Sequence, residues 1–305
     1  MRPEHTPLHP GARVALICTS GHPRTGGLDR AVAQLKKWGL EPVMGPHVGA
    51  RHARASYLAG ADEERAADLQ WAWSDPDIDG VFCLRGGYGA ARILDHFDVG
   101  ALRAARPRPI FGSSDLTAVA EFWREELGCG FWFSPMISSA ALLDDERAKA
   151  GLAAAVFEPA AGRTYTSSTA SSIVPGETTG RLIGGNLSVL AMTMGARGRP
   201  RIDNSGCIAL IEDVTEDTYR IDGFLTTLLR AGWFDGITGV ALGSWLDCGP
   251  LDEIRALAEE LLAPLDVPVV WELGFGHGPG AHSIPLGATA TLCADDAPRL
   301  ELSGD

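Results

Sequence analysis

The sequence predicts an α/β protein: an N-terminal domain built on a parallel sheet with helices on both faces, followed by a C-terminal domain with a mixed β/α sheet. Three observations carry this. In the first half, short apolar runs alternate with stretches of helical periodicity, which is how a parallel sheet wrapped by helices reads. At 305 residues the chain is long for one core and comfortable for two. From about Pro159 to Gly180 Ser, Thr, Pro and Gly dominate, which reads as a linker; the expected domains are 1–158 and 181–305, joined by 159–180.

Ala12 to Cys18 is an apolar strand, and Thr19 to Pro23 is a loop of turn residues. Leu28, Ala31, Val32, Leu35 and Trp38 share one face of a helix stopped by Gly39. Pro42 to Met44 is a short strand, and Tyr57 to Trp73 reads as a helix with early acids, ended by Ser74-Asp-Pro76. Gly80 to Leu84 is the next strand; it enters Arg85-Gly-Gly-Tyr-Gly89, with a helix beginning at Ala90. Pro109 to Gly112 supplies another strand, Ser113-Ser-Asp115 a tight turn, and Leu116 to Trp123 a helix. Loops at the carboxyl ends of parallel strands form the site in such sheets, so 19–23, 85–89 and 112–115 are expected on one edge. Beyond the linker, Arg181 to Leu190 is read as entering a helix, and Cys207 to Ile211 as a strand ending on Glu212-Asp213. Phe224 to Leu229 is helical, Gly239 to Gly243 a strand, Ile254 to Leu262 a helix, and Pro268 to Trp271 a strand leading into Gly274–Gly280. Thr289 to Leu302 reads as two strands around an Asp-Asp-Ala-Pro turn.

Hydrophobic residues make up 45% of the chain, and the net charge is −13, an acidic balance that disfavours nucleic-acid and anionic-membrane partners. No run approaches the roughly 18 apolar residues of a membrane span, and Met1 to Pro10 has no apolar signal region. Cys18, Cys83, Cys129, Cys207, Cys248 and Cys293 lack C-x-x-C spacing and are expected to be reduced thiols of a cytoplasmic protein. Neither a metal nor another cofactor is expected.

Four places carry candidate chemistry. A strand, a small-residue turn and a helix can lift a serine out of a sheet, but Ser113-Ser-Asp115 taken alone reads more readily as a plain helix cap; Leu116 breaks G-x-S-x-G. Arg85–Gly89 does not fit G-x-G-x-x-G; its glycines suit either an oxyanion site, where backbone N–H groups approach a carbonyl, or a plain turn. Glu212 closes an apolar strand, yet Asp213, Glu216 and Asp217 follow so closely that spacing does not select among them. His277 sits among glycines on a loop, where functional groups concentrate, and His282 competes for the same role.

Taken together these segments resemble the LD-carboxypeptidase family of serine peptidases, which also contains the microcin C self-immunity proteins. The resemblance runs from about Gly11 to Gly287 through Tyr57–Leu69, Arg85–Gly89, Gly112-Ser-Ser-Asp115, Gly184-Gly-Asn-Leu187, Leu210–Asp213 with Tyr219–Asp222, and Gly276-His277 with Ile284–Gly287. It implies Ser114 as nucleophile, Glu212 as the orienting carboxylate and His277 as base, met across the cleft between the two domains. It also implies an oxyanion hole from the backbone N–H of Gly87 and Asp115, with Arg85, Gly86, Tyr88 and Asn186 as candidates for substrate binding. The fold implied is an N-terminal glutamine-amidotransferase-like (flavodoxin-like) domain with a C-terminal β/α domain, in a homodimer. The substrate implied is a small peptide or peptide conjugate. The first choice is a cytoplasmic muropeptide losing its terminal D-alanine during wall recycling; an aminoacyl- or peptidyl-nucleotide conjugate is the alternative. A catalytically silent binder of a small ligand is the reading from a different class. Two positions depart from the family: Ser113, where an aromatic is frequent, and Gly223, where an arginine is frequent.

Overall fold

The computed structural model describes residues 6–195 and 203–304; the first five residues, part of the segment read for a signal, lie outside them. Backbone contacts divide the chain into two units, Met1–Pro159 with Ser283–Pro285, and Ala160–His282 with Leu286–Asp305.

The first unit contains β1 (Arg13–Ile17), α1 (Gly27–Lys37), β2 (Glu41–Met44), α2 (Asp62–Ser74), β3 (Gly80–Cys83), α3 (Val99–Ala104), β4 (Ile110–Gly112), α4 (Thr117–Phe122), β5 (Phe131–Phe133), α5 (Ala140–Leu143) and α6 (Glu146–Phe157). Its five strands run parallel in the order β5-β4-β3-β1-β2. A sixth strand, from the late segment Ile284–Leu286, lies beside β5. The chain moves from β1 to β2 on one side and then to β3 on the other. The carboxyl ends of β1 and β3 therefore flank a topological switch point, where open α/β sheets place their sites. Every residue of β3, β4 and β5 is buried, so these runs are short and uniformly apolar rather than alternating. In the register Phe82–Phe111–Trp132, three aromatic rings stack from strand to strand, with centroids 4.6 and 6.0 Å apart. Each such pair contributes about 0.5–1.5 kcal/mol beyond its burial.

Helix α2 starts at Asp62 rather than at Tyr57, because the Glu64 carboxylate accepts the Ala61 N–H at 2.8 Å and caps the first turn there. Its Arg65 is buried, pairs with Asp62, and donates to the carbonyls of Thr19 and of Gly89, the latter at 2.8 Å. One guanidinium thus holds together the loops that follow β1 and β3.

The second unit contains β6 (Thr164–Tyr165), β7 (Ser171–Val174), β8 (Gly176–Asn186), α7 (Leu187–Thr193), β9 (Cys207–Val214), α8 (Thr218–Arg230), β10 (Gly239–Leu246), α9 (Leu251–Leu262) and β11 (Val269–Trp271). After them come β12 (Ile284–Leu286, the strand beside β5), β13 (Thr289–Ala294) and β14 (Arg299–Leu302). The eight-stranded sheet has the order β6-β14-β13-β8-β9-β10-β11-β7. Strands β8 to β11 are parallel, and β13, β14, β6 and β7 are antiparallel to their neighbours. This is the mixed sheet expected of the C-terminal half.

Two expectations are corrected here. Residues 159–180 are not a linker: β6 and β7 form the two edges of the second sheet, and β8 begins at Gly176. Serines and threonines suit such half-exposed edge strands, and they mimic a linker by composition. Arg181 to Asn186 is strand rather than helix. Leu182 and Ile183 are both buried, and Gly184 and Gly185 take φ of +111° and +141°. A Cβ on Gly184 would lie 2.2 Å from the Leu210 carbonyl oxygen, so β8 and β9 approach closely only because glycine stands there. Helix α7 then begins at Leu187, with the Asn186 side chain accepting the Val189 N–H at 3.2 Å.

Candidate active site

In the first unit the chain leaves β4 at Gly112, passes an extended Ser113 (φ −150°), and turns at Ser114 with φ +60°. A non-glycine residue in the left-handed region carries strain of order 1–3 kcal/mol and is characteristic of residues held for function. A 3₁₀ turn, Ser114–Leu116, runs directly into α4. The first N–H groups of that turn, including that of Asp115, have no acceptor within the helix. On the neighbouring loop, a Cβ on Gly86 would lie 3.0 Å from the Ser114 Cβ and 3.1 Å from its Oγ, so the Gly86 backbone packs against the serine. Gly87 has φ +101°, with open space where a Cβ would project. The Asp115 carboxylate is turned away from this chemistry: it is buried and accepts the Ala90 N–H at 2.7 Å, tying the Arg85–Gly89 loop to the serine turn. Burial pushes its pKa upward against that hydrogen bond. Arg85 donates to the His22 carbonyl at 2.8 Å. Tyr88 is half-exposed and meets Tyr57 edge to face at 5.9 Å.

In the second unit Glu212 lies near the end of β9, beside Asn186 at the end of β8. Its side chain is fully buried, and its Oε2 lies 2.6 Å from His277 Nδ1, while the imidazole keeps 23% of its surface open. His277 therefore has one nitrogen fixed to a carboxylate and a ring edge left accessible. Burial drives the imidazole pKa down, but the charge and hydrogen bond of Glu212, with Asp213 adding, outweigh it and carry the pKa above its ordinary 6.5. Asn186 donates its amide to Glu212 Oε1 at 3.2 Å and to Asp213 Oδ1 at 2.8 Å, and its own oxygen accepts from the Ser188 hydroxyl at 2.8 Å. Asp213 also accepts the backbone N–H groups of Ser188 and Val214, each at 2.8 Å. Burial first, and then the adjacent Glu212 charge, push its pKa up to about 6. The acids that follow are engaged elsewhere: Glu216 pairs with Arg220, and Asp217 stands at the N-terminus of α8. His282 is turned away, its Nε2 2.8 Å from the Thr166 carbonyl oxygen and its ring against Tyr165. Of the two departures from the family, Ser113 is buried, and a side chain at Gly223 would meet nothing within 4 Å.

Sequence reasoning missed Ser244. Its Oγ accepts the backbone N–H of both His277 and Gly278 at 2.9 Å, at an irregularity in β10 between Leu242 and Trp245. A Cβ on Gly276, φ +105°, would lie 2.6 Å from Glu212 Oε2 and 2.8 Å from Ser244 Oγ, so the histidine loop closes over both only with glycine there. A lone serine in a strand gives no sequence signal of this. Ser244→Ala is expected to lower kcat about 10- to 100-fold with KM little changed, because two loop-anchoring hydrogen bonds of about 1 kcal/mol each are lost. Steady-state kinetics beside a thermal melt test it; an unchanged kcat would mean that the loop needs no such anchor.

Among the described residues, no group of three or more histidines, cysteines or acids is placed to hold a metal ion, and no helix is long and apolar enough to cross a membrane.

Comparison with known proteins identifies the family of both halves of the chain. Residues 14–133 match the LD-carboxypeptidase N-terminal domain, and residues 179–292 match the LD-carboxypeptidase C-terminal domain. A Streptomyces coelicolor relative carrying a carboxypeptidase name is 45% identical over 94% of this chain and 92% of its own. The murein tetrapeptide carboxypeptidase of Pseudomonas aeruginosa is 36% identical over 92% of each chain. Among solved structures, muramoyltetrapeptide carboxypeptidase from Oxalobacter formigenes superposes with a TM-score of 0.81 at 26% identity, covering 96% of this chain and 99% of that one. MccF in complex with glutamyl sulfamoyl guanosine shares the fold, with a TM-score of 0.85 at 21% identity over 98% of each chain. With both domains matched and relatives of this similarity along nearly its whole length, the chain belongs to the LD-carboxypeptidase family of hydrolytic peptidases.

Proposed function

We propose that this protein is a serine carboxypeptidase whose domains share one site, the first carrying the nucleophile Ser114 and the second carrying Glu212 and His277. The observation that bears most weight is the imidazole fixed through Nδ1 to a fully buried carboxylate, because that arrangement leaves Nε2 as the working nitrogen. In this reading His277 takes the proton of the Ser114 hydroxyl as Oγ attacks the scissile carbonyl. The N–H groups of Gly87 and Asp115 receive the oxyanion, each worth on the order of 3 kcal/mol in the transition state. His277 then protonates the leaving amine, and water, activated by the same imidazole, releases the acyl group. Glu212 stabilises the imidazolium formed between these steps.

The substrate proposed is a muropeptide tetrapeptide, cleaved at its L,D bond to release D-alanine. The relatives of Pseudomonas aeruginosa and Oxalobacter formigenes, named as murein tetrapeptide and muramoyltetrapeptide carboxypeptidases, support a tetrapeptide substrate. The same reading expects a homodimer acting in the cytoplasm on recycled wall peptides. The alternative, a nucleotide conjugate, is favoured by the fold shared with MccF, but the segment before Gly184-Gly-Asn186, where microcin C immunity proteins carry an aromatic to stack on the base, has only Tyr165, which is buried. A release assay that offers the tetrapeptide and an aminoacyl sulfamoyl-adenylate side by side decides between them. Faster turnover of the nucleotide conjugate would reverse the assignment. Failure of a serine-directed phosphonate to label folded protein at Ser114 would favour the silent binder.

A further inference from the structure

Arg85, in the loop after β3, and Arg51, in the segment between β2 and α2, both meet His22 of the loop after β1, and the proposed mechanism uses neither. The Gly21 N–H donates to the Gly86 carbonyl at 3.0 Å, and Gly86 in turn packs against Ser114. One residue along each loop, the His22 carbonyl accepts Arg85 Nη1 at 2.8 Å. The His22 ring, which is buried, accepts an N–H from Arg51 at Nδ1. A single residue therefore holds one guanidinium with its carbonyl and another with its ring. An imidazole that accepts at Nδ1 is neutral, and burial, with Arg51 and Arg85 adding, holds its pKa below 6.5. Neither arginine has a carboxylate partner among the described residues. Several arginines of the same unit do meet acids: Arg65 and Arg92 share Asp62, Arg103 meets Glu126, and Arg124 meets Glu121, while buried Arg108 donates to backbone carbonyls. In a chain of net charge −13, two guanidiniums held by one residue and with no acid partner among the described residues are suited to an anion.

We propose that Arg85 and Arg51, held by His22, receive the free carboxylate of the residue that leaves, so that the enzyme cuts a single residue from an unblocked C-terminus. This rests on the carboxypeptidase reading above. It adds the chemical reason for exopeptidase action: the carboxylate sits on the leaving amine, close to the bond attacked by Ser114, and two forked guanidiniums suit its planar oxygens.

The test compares kcat/KM on a tetrapeptide ending in D-alanine with the same peptide ending in D-alaninamide, for the wild type, Arg85→Gln and the exposed-site variant Arg51→Gln. The wild type is expected to favour the acid about 10- to 100-fold, as charge-assisted hydrogen bonds allow, and each variant should bring that ratio down severalfold or more. A ratio that is unaltered in both variants, or near one in the wild type, overturns the proposal while leaving the peptidase activity standing. If neither peptide is cleaved, the carboxypeptidase reading fails, and calorimetry on Ser114→Ala protein examines the site alone. There, binding of N-acetyl-D-alanine at least tenfold tighter than its amide, lost on adding Arg85→Gln, sustains the anion site. Equal or absent binding overturns it, as does tighter binding of adenosine monophosphate than of N-acetyl-D-alanine.

Discussion

Ser114→Ala is expected to lower kcat for D-alanine release by about 10⁴- to 10⁶-fold, because loss of the nucleophile alone removes nearly all that a triad supplies. The same position yields an opposite effect on stability. Ser114 holds φ +60° without being glycine, and left-handed backbone costs an ordinary residue about 1–2 kcal/mol. Ser114→Gly should therefore be equally inactive yet more stable by about 1 kcal/mol, less whatever flexibility glycine adds to the unfolded chain. Urea unfolding of wild type, alanine and glycine variants measures this directly. Near wild-type activity in Ser114→Ala would remove the serine from its proposed role; a glycine variant no more stable than the alanine variant would show that the turn is unstrained.

Glu212→Gln is expected to cost about 10⁴-fold in kcat, through loss of the carboxylate that orients His277 and stabilises its cation. It should also move the pH profile. The imidazole must be neutral to accept the serine proton, and Glu212 holds its pKa above 6.5. The wild-type kcat/KM should thus rise with pH along a limb centred above 6.5, and that limb should shift to lower pH in the variant, where burial acts without the charge. The linkage to folding has a definite sign. A histidine whose pKa is raised on folding adds stability that is fully present below 6.5 and fades as pH climbs through the folded value. Stability of the wild type relative to Glu212→Gln should accordingly be greatest on the acid side of that window. A pH–rate limb unmoved by the substitution would detach Glu212 from the titration of the base.

Strands such as β1, β3, β4, β9 and β10 were legible because a buried parallel strand must be a short apolar run ended by turn residues. The stretch at 159–180 was not, since serine- and threonine-rich edge strands share their composition with linkers, and only pairing with β14 and β11 distinguishes them. The helix that the stretch from Arg181 was expected to enter begins only at Leu187, for a related reason: the extended path of β8 depends on close approach of Gly184 to Leu210, 26 residues away in sequence. At the site, residue types and loop positions already marked Ser114, Glu212 and His277 as candidates, and the family resemblance assigned their roles.

What the residues alone left open was orientation. A serine before Asp115 reads by itself as a helix cap before it reads as a strained turn, since the sign of φ is imposed by how β4, Gly86 and α4 pack. His277 and His282 sit on one glycine-rich loop, and Asp213, Glu216 and Asp217 all follow Glu212. The distinction between them arises from hydrogen bonds: His277 to Glu212, His282 to Thr166, Glu216 to Arg220. Local pattern is enough to specify strands, helices and the chemistry available on each loop, because those depend on neighbours along the chain. Which of several equivalent side chains meets which partner depends on residues such as Ser244 and Gly276, whose importance lies in the space between distant strands.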